Sequence, residues 1–391
     1  MSVDIWIKTK MHILILSQYY APEPILKPIE LANELKLLGH RVSVITGFPN
    51  YPSGDLYPGF KLKFVDKSIE DDIRITRTYE YPYHGKSVVG RVINYLSFML
   101  SAPFGLIKNR DFDVIYVWHP PLTVGISAWV ISLLSGKPYV YDVQDIWPES
   151  VIVSGLMKSK LLIKLLRAIE SFVYKQANSI IVVTKGAKNN LIEKGVDRNK
   201  IKVLPHWTDE NLFCSVDQED IKRIKNLYNF DNKFVYMFAG NLGTVQGLDT
   251  LIFAADMLRE EDDILVVFVG EGSEGSRLKE LVSSLNLEEL VIFIDQKPFN
   301  EIPVFLAAAN VLLVHLKSSP LSDYVIPSKT VAYLAAGKPI LMAAGGASSE
   351  LIEEIGAGIS INPGDPEQLA ESILMFAGKS SDDLQEMGEK G

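Results

Sequence analysis

The chain has 391 residues, a length that predicts two or three domains, and its 47% hydrophobic and 22% charged residues are typical of a globular protein. A single cysteine excludes a disulfide framework and any metal site built from several cysteines. The net charge of −9 argues against a general nucleic-acid binder, so we expect no nucleic-acid partner.

In the first half of the chain, short apolar runs typical of buried parallel strands alternate with helical segments. The predicted elements are the strand His12–Ser17, the helix Pro28–Leu38, the strands Val42–Thr46, Val114–Trp118, Tyr139–Val143 and Ile180–Thr184, and the helix Lys185–Glu193.

A second series follows the predicted helix Gln218–Leu227. It consists of the strands Phe234–Ala239, Ile264–Gly270, Val291–Ile294, Val311–His315 and Pro339–Ala343, and of the helices Leu248–Leu258, Ser276–Ser284, Ile302–Ala308, Ser328–Ala336 and Ser348–Ile355. This alternation predicts two doubly wound, Rossmann-like α/β domains. A Gly-Lys-Pro turn at Gly136 and again at Gly337 supports one such domain in each half, because glycine ends a helix and proline prevents its continuation.

The polar stretch Asp209–Asp231 loses the strand pattern, so we predict domains at residues 1–210 and 211–391. Doubly wound sheets bind ligands at the carboxyl ends of their strands. Two such domains are expected to face each other across a cleft, and the loops that follow the strands are the places to look for a site.

Two glycine-rich loops follow the first two strands of the second domain. In Phe238–Gly247, Gly240 and Gly243 would let backbone N–H groups approach a phosphate at a helix start, and a plain glycine turn is the alternative. Gly270–Gly275 matches G-x-G-x-x-G, but its two glutamates and its place after the second strand favour a tight turn over a dinucleotide site.

The segment Ile326–Tyr333 begins a helix, with Pro327 in its first turn. The N–H groups of Ser328, Lys329 and Thr330 are expected to lack intrahelical partners, and Lys329 adds a positive charge. The segment is therefore either an anion site or an ordinary capped helix.

Two loops of the first domain have residues suited to sugar chemistry. Asp142–Glu149 places several carboxylates, including Asp145, beside Trp147, which either stacks on a sugar ring or fills the core. His119 ends another strand, and it is either a catalytic or substrate contact or a structural histidine.

Asp111-Phe-Asp113 has the form of a metal-binding Asp-x-Asp motif, but it precedes a strand instead of following one. We interpret it as a solvated turn and expect no metal site.

Together these loops resemble the family 4 glycosyltransferases, retaining nucleotide-sugar-dependent enzymes of the GT-B fold. The resemblance is strongest to bacterial members that build capsule, O-antigen and colanic-acid-like polysaccharides, such as N-acetylfucosamine transferases. The motifs that carry it are Gln18–Glu23, Gly39–Thr46, Pro49–Gly54, Asp145–Glu149, Gly240–Gly243 with Gln246–Gly247, and Pro327–Lys329 with Ala335–Pro339.

The resemblance implies that the second domain binds a nucleoside diphosphate, with Gly240 and Gly243 approaching the phosphates and Lys329 neutralising their charge. The first domain would bind the acceptor, and the candidate catalytic residues are His119, Asp145 and Lys329. The remaining candidate donor contacts are Asn241, Gln246, Gly270, Gln296, Tyr324, Ser328, Thr330 and Glu350.

One departure from the family concerns the Glu-x7-Glu pair that many members carry around the sugar. Its two positions fall at Tyr324 and Ala332, neither of which is acidic. The sugar contacts that these glutamates usually make therefore stay unassigned.

The expected reaction is transfer of a hexosyl or N-acetylhexosaminyl unit from a nucleoside diphosphate sugar to a hydroxyl, with retained configuration and without a metal or other cofactor. Preorganised N–H groups and Lys329 would stabilise the leaving diphosphate. Two alternatives stay open: a nucleotide-sugar epimerase of the same fold, and a scaffold that has lost activity.

The acceptor is expected to be lipid-linked, because residues 1–210 have a charge balance of +6 and residues 211–391 one of −15. Met157–Gln176 and Val92–Ile107 combine basic and apolar residues, as helices on anionic membranes do, although helices that merely cover the sheet are the alternative.

No stretch reaches the ~18 apolar residues of a membrane span. Residues 1–10 lack the apolar core of a secretory signal, so we expect a cytoplasmic protein at the inner face of the plasma membrane.

Overall fold

The computed structural model describes residues 10–85, 87–107, 110–153 and 159–391. The chain divides into two compact units, Met1–Leu204 and Pro205–Gly391. Each unit is built on its own, mainly parallel sheet. Four lysines counted in the charge balance of residues 1–210 lie outside the described residues: Lys8, Lys86, Lys108 and Lys158. The start of the segment at Met157 also lies outside them.

In its described part the first unit has an eight-stranded sheet of order β3-β4-β2-β1-β5-β6-β7-β8. Its strands are β1 His12–Leu16, β2 Arg41–Thr46, β3 Val65–Glu70, β4 Ile73–Thr78, β5 Val114–Trp118, β6 Tyr139–Val143, β7 Ser179–Val182 and β8 Ile201–Val203. The helices are α1 Lys27–Leu37, α2 Val88–Ser101, α3 Thr123–Ser135, α4 Glu149–Val153, α5 Lys160–Gln176 and α6 Lys185–Glu193, with 3-10 turns at Ala102–Leu106 and Arg198–Lys200.

The antiparallel hairpin of β3 and β4 and the short strand β8 were not predicted. β3 lies at the sheet edge and none of its residues is buried, so its sequence lacks the apolar run of a buried strand. The strand β7 ends earlier than predicted because Thr184 is the N-cap of α6, and its side chain accepts a hydrogen bond from the Ala187 amide.

The Asp-x-Asp segment lies directly before β5, with Asp111 and Asp113 exposed and Phe112 buried. The Asp113 carboxylate accepts a hydrogen bond from the His12 amide at 2.8 Å, and Asp111 pairs with Arg41 at 2.7 Å. These two carboxylates therefore join the starts of neighbouring strands.

The second unit has a six-stranded parallel sheet of order β11-β10-β9-β12-β13-β14. Its strands are β9 Phe234–Ala239, β10 Ile264–Val269, β11 Val291–Ile294, β12 Val311–His315, β13 Ile340–Ala343 and β14 Gly358–Ile361. The helices are α7 Asn211–Cys214, α8 Gln218–Leu227, α9 Asp249–Met257, α10 Gly275–Ser284, α11 Ile302–Ala308, α12 Ser328–Ala335, α13 Ala347–Ile355, α14 Pro366–Ala377 and α15 Ser381–Lys390, with 3-10 turns at Thr244–Gln246 and Phe299–Glu301.

Both faces of this sheet are buried, as the continuous apolar runs predict. On β9, Tyr236 and Phe238 pack into one core, while Val235 and Met237 pack into the core on the opposite face. The predicted fold class of two Rossmann-like α/β units is confirmed. The predicted glycine stops are also present, since Gly136 (φ 70°) and Gly337 (φ 64°) both have left-handed backbones after a helix.

Within the described residues, no helix combines the length and the apolar character needed to cross a membrane.

Candidate active site

The strand order of the second sheet reverses between β9 and β12, the position at which doubly wound folds bind ligands. β9 pairs with β10 along its whole length, but with β12 only at Tyr236 and Met237. Beyond Met237 the two strands therefore diverge towards their carboxyl ends. The first glycine-rich loop begins in this gap.

The two glycine-rich loops of the second unit pack against each other. Gly240 and Gly270 have φ values of 138° and 139°, a region that side-chain-bearing residues rarely adopt. A Cβ on Gly270 would collide with the Gly240 carbonyl oxygen. Further along, the Leu242 amide donates to the Glu271 carbonyl at 2.9 Å. The glycines at 270–275 thus serve a tight turn against the first loop, as the sequence favoured.

The side chain of Lys329 reaches the first glycine loop from helix α12. Its Nζ atom is buried, lies 3.5 Å from the centre of the Phe238 ring and has no hydrogen-bond partner among the described residues. A Cβ on Gly240 would lie only 2.7 Å from this atom. Burial lowers the pKa of Lys329 to about 7. A cationic group held without a counter-charge beside a glycine loop is well suited to receive an anion.

His315, at the end of β12, supports the far end of the same loop. Its Nδ1 lies 2.6 Å from the Gln246 carbonyl oxygen, and its Nε2 accepts a hydrogen bond from the Gly364 amide at 3.3 Å. These partners assign the proton to Nδ1. Burial lowers the pKa of His315, so the neutral ring is retained. Sequence analysis missed this residue, although its place at the strand end was a usable signal.

Three further predicted residues share this loop region. Asn241 is exposed, Gly243 is buried, and Gln246 has a buried Oε1 without a partner among the described residues. A Cβ on Gly243 would lie 2.7 Å from Asn241 Nδ2 and 2.8 Å from Gln246 Oε1. The structure therefore brings Asn241, Gly243 and Gln246 together around one turn.

The start of α12 differs from the prediction in one respect. The Thr330 amide already donates to the Pro327 carbonyl at 2.9 Å, so the expectation that it lacks a partner was wrong. The cause is a tight turn at the helix start, where Pro327 is the N-cap and not part of the first turn. The Thr330 side chain is fully buried, and its Oγ1 has no partner in the described part of the chain.

The remaining donor candidates lie on neighbouring loops at the carboxyl edge of the second sheet. Gln296 follows β11 and is exposed, and Tyr324 is half-buried on the loop between β12 and α12. Ser328 begins α12, and Glu350 lies in the first turn of α13. Both side chains are exposed, and the contacts of the described residues do not join them to the glycine loop.

In the first unit the strand order reverses between β1 and β5, and His119 directly follows β5. Its ring is buried and packs against Tyr141 and Trp147, with centroid separations of 5.8 and 6.0 Å. Burial lowers the pKa of His119 to about 3, and its Nδ1 has no partner among the described residues. His119 is therefore a neutral hydrogen-bonding group and not a charged acid.

The carboxylates after β6 have different surroundings. Asp142 is buried and accepts hydrogen bonds from Tyr116 and Gln144, each at 2.7 Å, and burial raises its pKa to about 6. Asp145 is half-buried, and desolvation raises the pKa of its carboxyl. Both groups are thus easier to protonate than an ordinary aspartate.

Glu149, the end of this loop, has a structural role. Lys194 pairs with Glu149 and with the buried Glu170, both at 2.8 Å, and donates to the Trp147 carbonyl at 3.2 Å. This arrangement fixes the loop to helices α5 and α6.

A buried polar network joins two motifs, Gln18–Glu23 and Pro49–Gly54, for which no role was predicted. The fully buried carboxyl of Glu80 accepts hydrogen bonds from Gln18 at 2.9 Å and from Asn50 at 2.5 Å. Glu23 accepts from the Asn50 and Tyr51 amides. Burial and the nearby charge of Glu23 raise the pKa of Glu80. The signal that could have found this network is that Gln18, Asn50 and Glu80 each lie a few residues after a strand, β1, β2 and β4 respectively.

Within the described residues no group of three or more His, Cys, Asp or Glu side chains is placed to hold a metal ion.

Two family models match the chain, one in each unit. Residues 29–207 match the glycosyl transferase 4-like domain, and residues 217–391 match the glycosyl transferases group 1.

Similar proteins include curated relatives and solved structures. The putative colanic acid biosynthesis glycosyl transferase WcaI of Escherichia coli (strain K12) is 28% identical over 347 residues, covering 84% of this chain and 82% of WcaI. The probable glycosyltransferase WbjE of Pseudomonas aeruginosa is 30% identical over 269 residues, covering 68% of this chain and 66% of WbjE. The crystal structure of Anabaena Alr3699/HepE in complex with UDP and glucose has a TM-score of 0.70 and 20% identity, covering 97% of this chain and 93% of that chain.

Two Rossmann-like units, each with polar loops at the switch point of its sheet, define a protein of the GT-B fold class. With both family models matched in this order, the chain belongs to the glycosyltransferases, and it has a glycosyl transferase 4-like unit followed by a group 1 unit.

Proposed function

We propose that this glycosyltransferase transfers a hexosyl or N-acetylhexosaminyl unit, with retained configuration, from a nucleoside diphosphate sugar to a hydroxyl of a lipid-linked glycan. The observation that carries the proposal is the buried ammonium of Lys329 beside Gly240, which has no hydrogen-bond partner in the described part of the chain. The complexes of HepE with UDP and glucose support a nucleotide-sugar donor, and the name of WcaI supports a role in surface polysaccharide biosynthesis.

The donor diphosphate would lie at the gap between β9 and β12. There protonated Lys329 supplies a positive charge, and the backbone of the glycine loop approaches closely because Gly240 has no side chain. Charge-assisted hydrogen bonds from these groups stabilise the negative charge that develops on the leaving diphosphate. The remaining loops of that edge, which carry Gln296, Tyr324 and Glu350, are available to the nucleoside and the sugar.

Retention follows if the acceptor hydroxyl attacks the face from which the diphosphate departs, so that a departing phosphate oxygen takes the hydroxyl proton. This route requires neither a protein nucleophile nor a metal or other cofactor. His119 is neutral, and its Nδ1 has no partner in the described part of the chain, so it would hydrogen-bond a sugar hydroxyl. Asp145, whose pKa is raised by desolvation, would accept a hydrogen bond from a hydroxyl.

A membrane-facing first unit would bring the enzyme to a lipid-linked acceptor at the inner face of the plasma membrane. The first two turns of α5 expose Leu161, Leu162 and Leu165 beside the exposed cations Lys160 and Lys164. Helix α2 and the turn after it expose a second apolar set, Val92, Ile93, Leu96, Leu100, Phe104 and Ile107. Exposed leucines among cations are typical of helices that lie on anionic bilayers.

The reaction is tested by incubating the purified chain with UDP-, GDP- and dTDP-sugars, with and without lipid-linked saccharides extracted from bacterial membranes. We expect sugar to enter the lipid fraction from one donor, with an anomeric configuration by NMR equal to that of the donor. An inverted product would contradict retention. Isomerisation of the donor without any acceptor would instead favour the epimerase.

Vesicle sedimentation tests the membrane surface separately. The double variant Leu161→Gln/Leu165→Gln should lose binding to vesicles that contain anionic lipid. The matched control Leu227→Gln removes a leucine that is 65% exposed on α8 of the second unit, and it should bind as the unaltered chain does. Equal binding of all three proteins would exclude α5 as the contact.

A further inference from the structure

The hydroxyl of Tyr333 makes two hydrogen bonds to a single backbone residue. It accepts from the Ala239 amide at 2.7 Å and donates to the Ala239 carbonyl at 3.0 Å. The Tyr333 side chain is 1% exposed. Both hydrogen-bonding functions of the hydroxyl are therefore used on the residue directly before Gly240.

The divergence of β9 from β12 explains why Ala239 needs this partner. The ladder between the two strands stops at Met237, so the Ala239 groups that face β12 have no strand neighbour. A buried backbone N–H or C=O without a partner is costly, and the Tyr333 hydroxyl takes the place of the missing strand. The gap at the switch point thus stays open while the Ala239 amide and carbonyl keep hydrogen-bond partners.

Tyr333 follows Lys329 by four residues on α12, so the two side chains lie on the same face of the helix. Tyr333 binds Ala239, while Lys329 lies over the ring of Phe238 and against Gly240. One helix face therefore contacts three consecutive residues at the end of β9. These contacts set both the distance and the rotation of α12 relative to the glycine loop.

We propose that Tyr333 is a positioning residue of the donor site, which holds Lys329 at the glycine loop by fixing α12 to the end of β9. The inference rests on the proposed binding of a nucleoside diphosphate beside Lys329. Removing the Tyr333 hydroxyl is expected to release the end of β9 and to move Lys329 away from Gly240. The ammonium then gains water, and it binds the diphosphate less tightly.

The test compares Tyr333→Phe with Tyr236→Phe by calorimetric titration of UDP from pH 6 to 9. Tyr236 is a matched control, because it is a fully buried tyrosine of β9, the strand that Tyr333 contacts. Its hydroxyl donates to the Ile373 carbonyl on the opposite face of the sheet. Both variants lose one buried hydroxyl, and both are expected to melt a few degrees lower. Only Tyr333→Phe is expected to bind UDP at least tenfold more weakly at pH 7.

The pH profile separates positioning from general destabilisation. In the unaltered chain UDP affinity should fall above pH 7, because Lys329 must be protonated to bind the diphosphate and burial lowers its pKa to about 7. In Tyr333→Phe the decline should move at least one pH unit higher, whereas Tyr236→Phe should keep the original profile. The variant Tyr333→4-aminophenylalanine restores the hydrogen bond donated to the Ala239 carbonyl but accepts only weakly from the Ala239 amide. It should bind UDP more tightly than Tyr333→Phe and less tightly than the unaltered chain. If Tyr333→Phe does not fold, this variant is compared with Tyr236→Phe in its place.

Three results would overturn the inference. If the unaltered chain binds UDP and Tyr333→Phe matches Tyr236→Phe in affinity and pH profile, Tyr333 has no positioning role and the proposed function stands. Failure of the 4-aminophenylalanine variant to bind UDP more tightly than Tyr333→Phe would exclude the hydrogen bond to the Ala239 carbonyl as the positioning contact. If the unaltered chain binds none of the nucleoside diphosphates UDP, GDP and dTDP, the proposed donor site fails and the inference fails with it.

Discussion

Replacing Lys329 with methionine should weaken nucleotide binding and stabilise the unliganded protein at the same time. The substitution keeps a long apolar stem against Phe238 and removes the buried charge. Opposite signs for the two effects are expected because the ammonium has no counter-charge among the described residues until an anion is bound.

The loss of binding can be worked from the contact. A unit charge about 4 Å from a phosphate oxygen contributes about 4 kcal/mol at an effective dielectric constant near 20. Desolvation of both groups reduces this to about 2–3 kcal/mol, the range of charge-assisted hydrogen bonds. Lys329→Met should therefore bind UDP about 30- to 150-fold more weakly by calorimetry.

The gain in stability follows from the lowered pKa of Lys329, which falls from 10.5 to about 7. The unfolded chain holds this proton more tightly, so the destabilising effect is complete below pH 7 and disappears as the pH rises towards 10.5. The Phe238 ring offsets part of it through a cation–π contact of up to about 2 kcal/mol. Urea unfolding at pH 7 should show Lys329→Met to be more stable by about 1–3 kcal/mol, and the difference should shrink by pH 10.

Lys338→Met is the control, because burial also lowers the pKa of Lys338 but this lysine lies at the amino-terminal end of β13. It should leave UDP affinity unchanged. UDP binding by Lys329→Met within threefold of the unaltered chain would refute the proposed role of Lys329. A less stable unliganded Lys329→Met protein would refute the reasoning about its buried charge.

Three further substitutions test the supporting structure. Glu80→Gln removes a carboxyl whose raised pKa makes the native state less stable as the pH rises. Urea unfolding should therefore show the variant to be at least as stable as the unaltered chain at pH 8, with a smaller change in stability between pH 6 and 8. A loss above about 2 kcal/mol at both pH values would contradict this. Lys194→Met removes the cation that pairs with the buried carboxyl of Glu170 and should lower the free energy of unfolding by about 3–5 kcal/mol. The double variant with Glu170→Gln should recover part of this loss, and no loss in Lys194→Met would show that the ion pair does not stabilise the fold. His315→Phe removes the bonds to Gln246 and Gly364 and should weaken UDP binding about tenfold, whereas affinity equal to that of the unaltered chain would exclude loop support by His315.

The buried parallel strands could be predicted because burial on both faces leaves a continuous apolar run in the sequence, as in β9 and β10. The strand β3 could not, because at an exposed sheet edge its residues are mostly polar. The strand β10 was predicted one residue too long, since Gly270 turns away with a left-handed backbone that the pattern does not reveal.

The residues of the candidate site also fall into those that could be predicted from the sequence and those that could not. The glycine loop and Lys329 could be predicted because local sequence specifies a turn and a helix start. The supporting residues Tyr333 and His315 could not, because their partners lie 94 and 69 residues away. Their roles depend on where two strands diverge, which only the tertiary fold determines.

The most direct test of the donor site is a calorimetric titration of the unaltered chain with UDP, UMP and uridine at pH 7. The site is built around one cation and a glycine loop, so the second phosphate should contribute strongly to affinity. We predict that UDP binds at least tenfold more tightly than UMP, and that uridine binds more weakly still. Equal affinity for UDP and UMP would contradict a diphosphate site at Lys329 and Gly240.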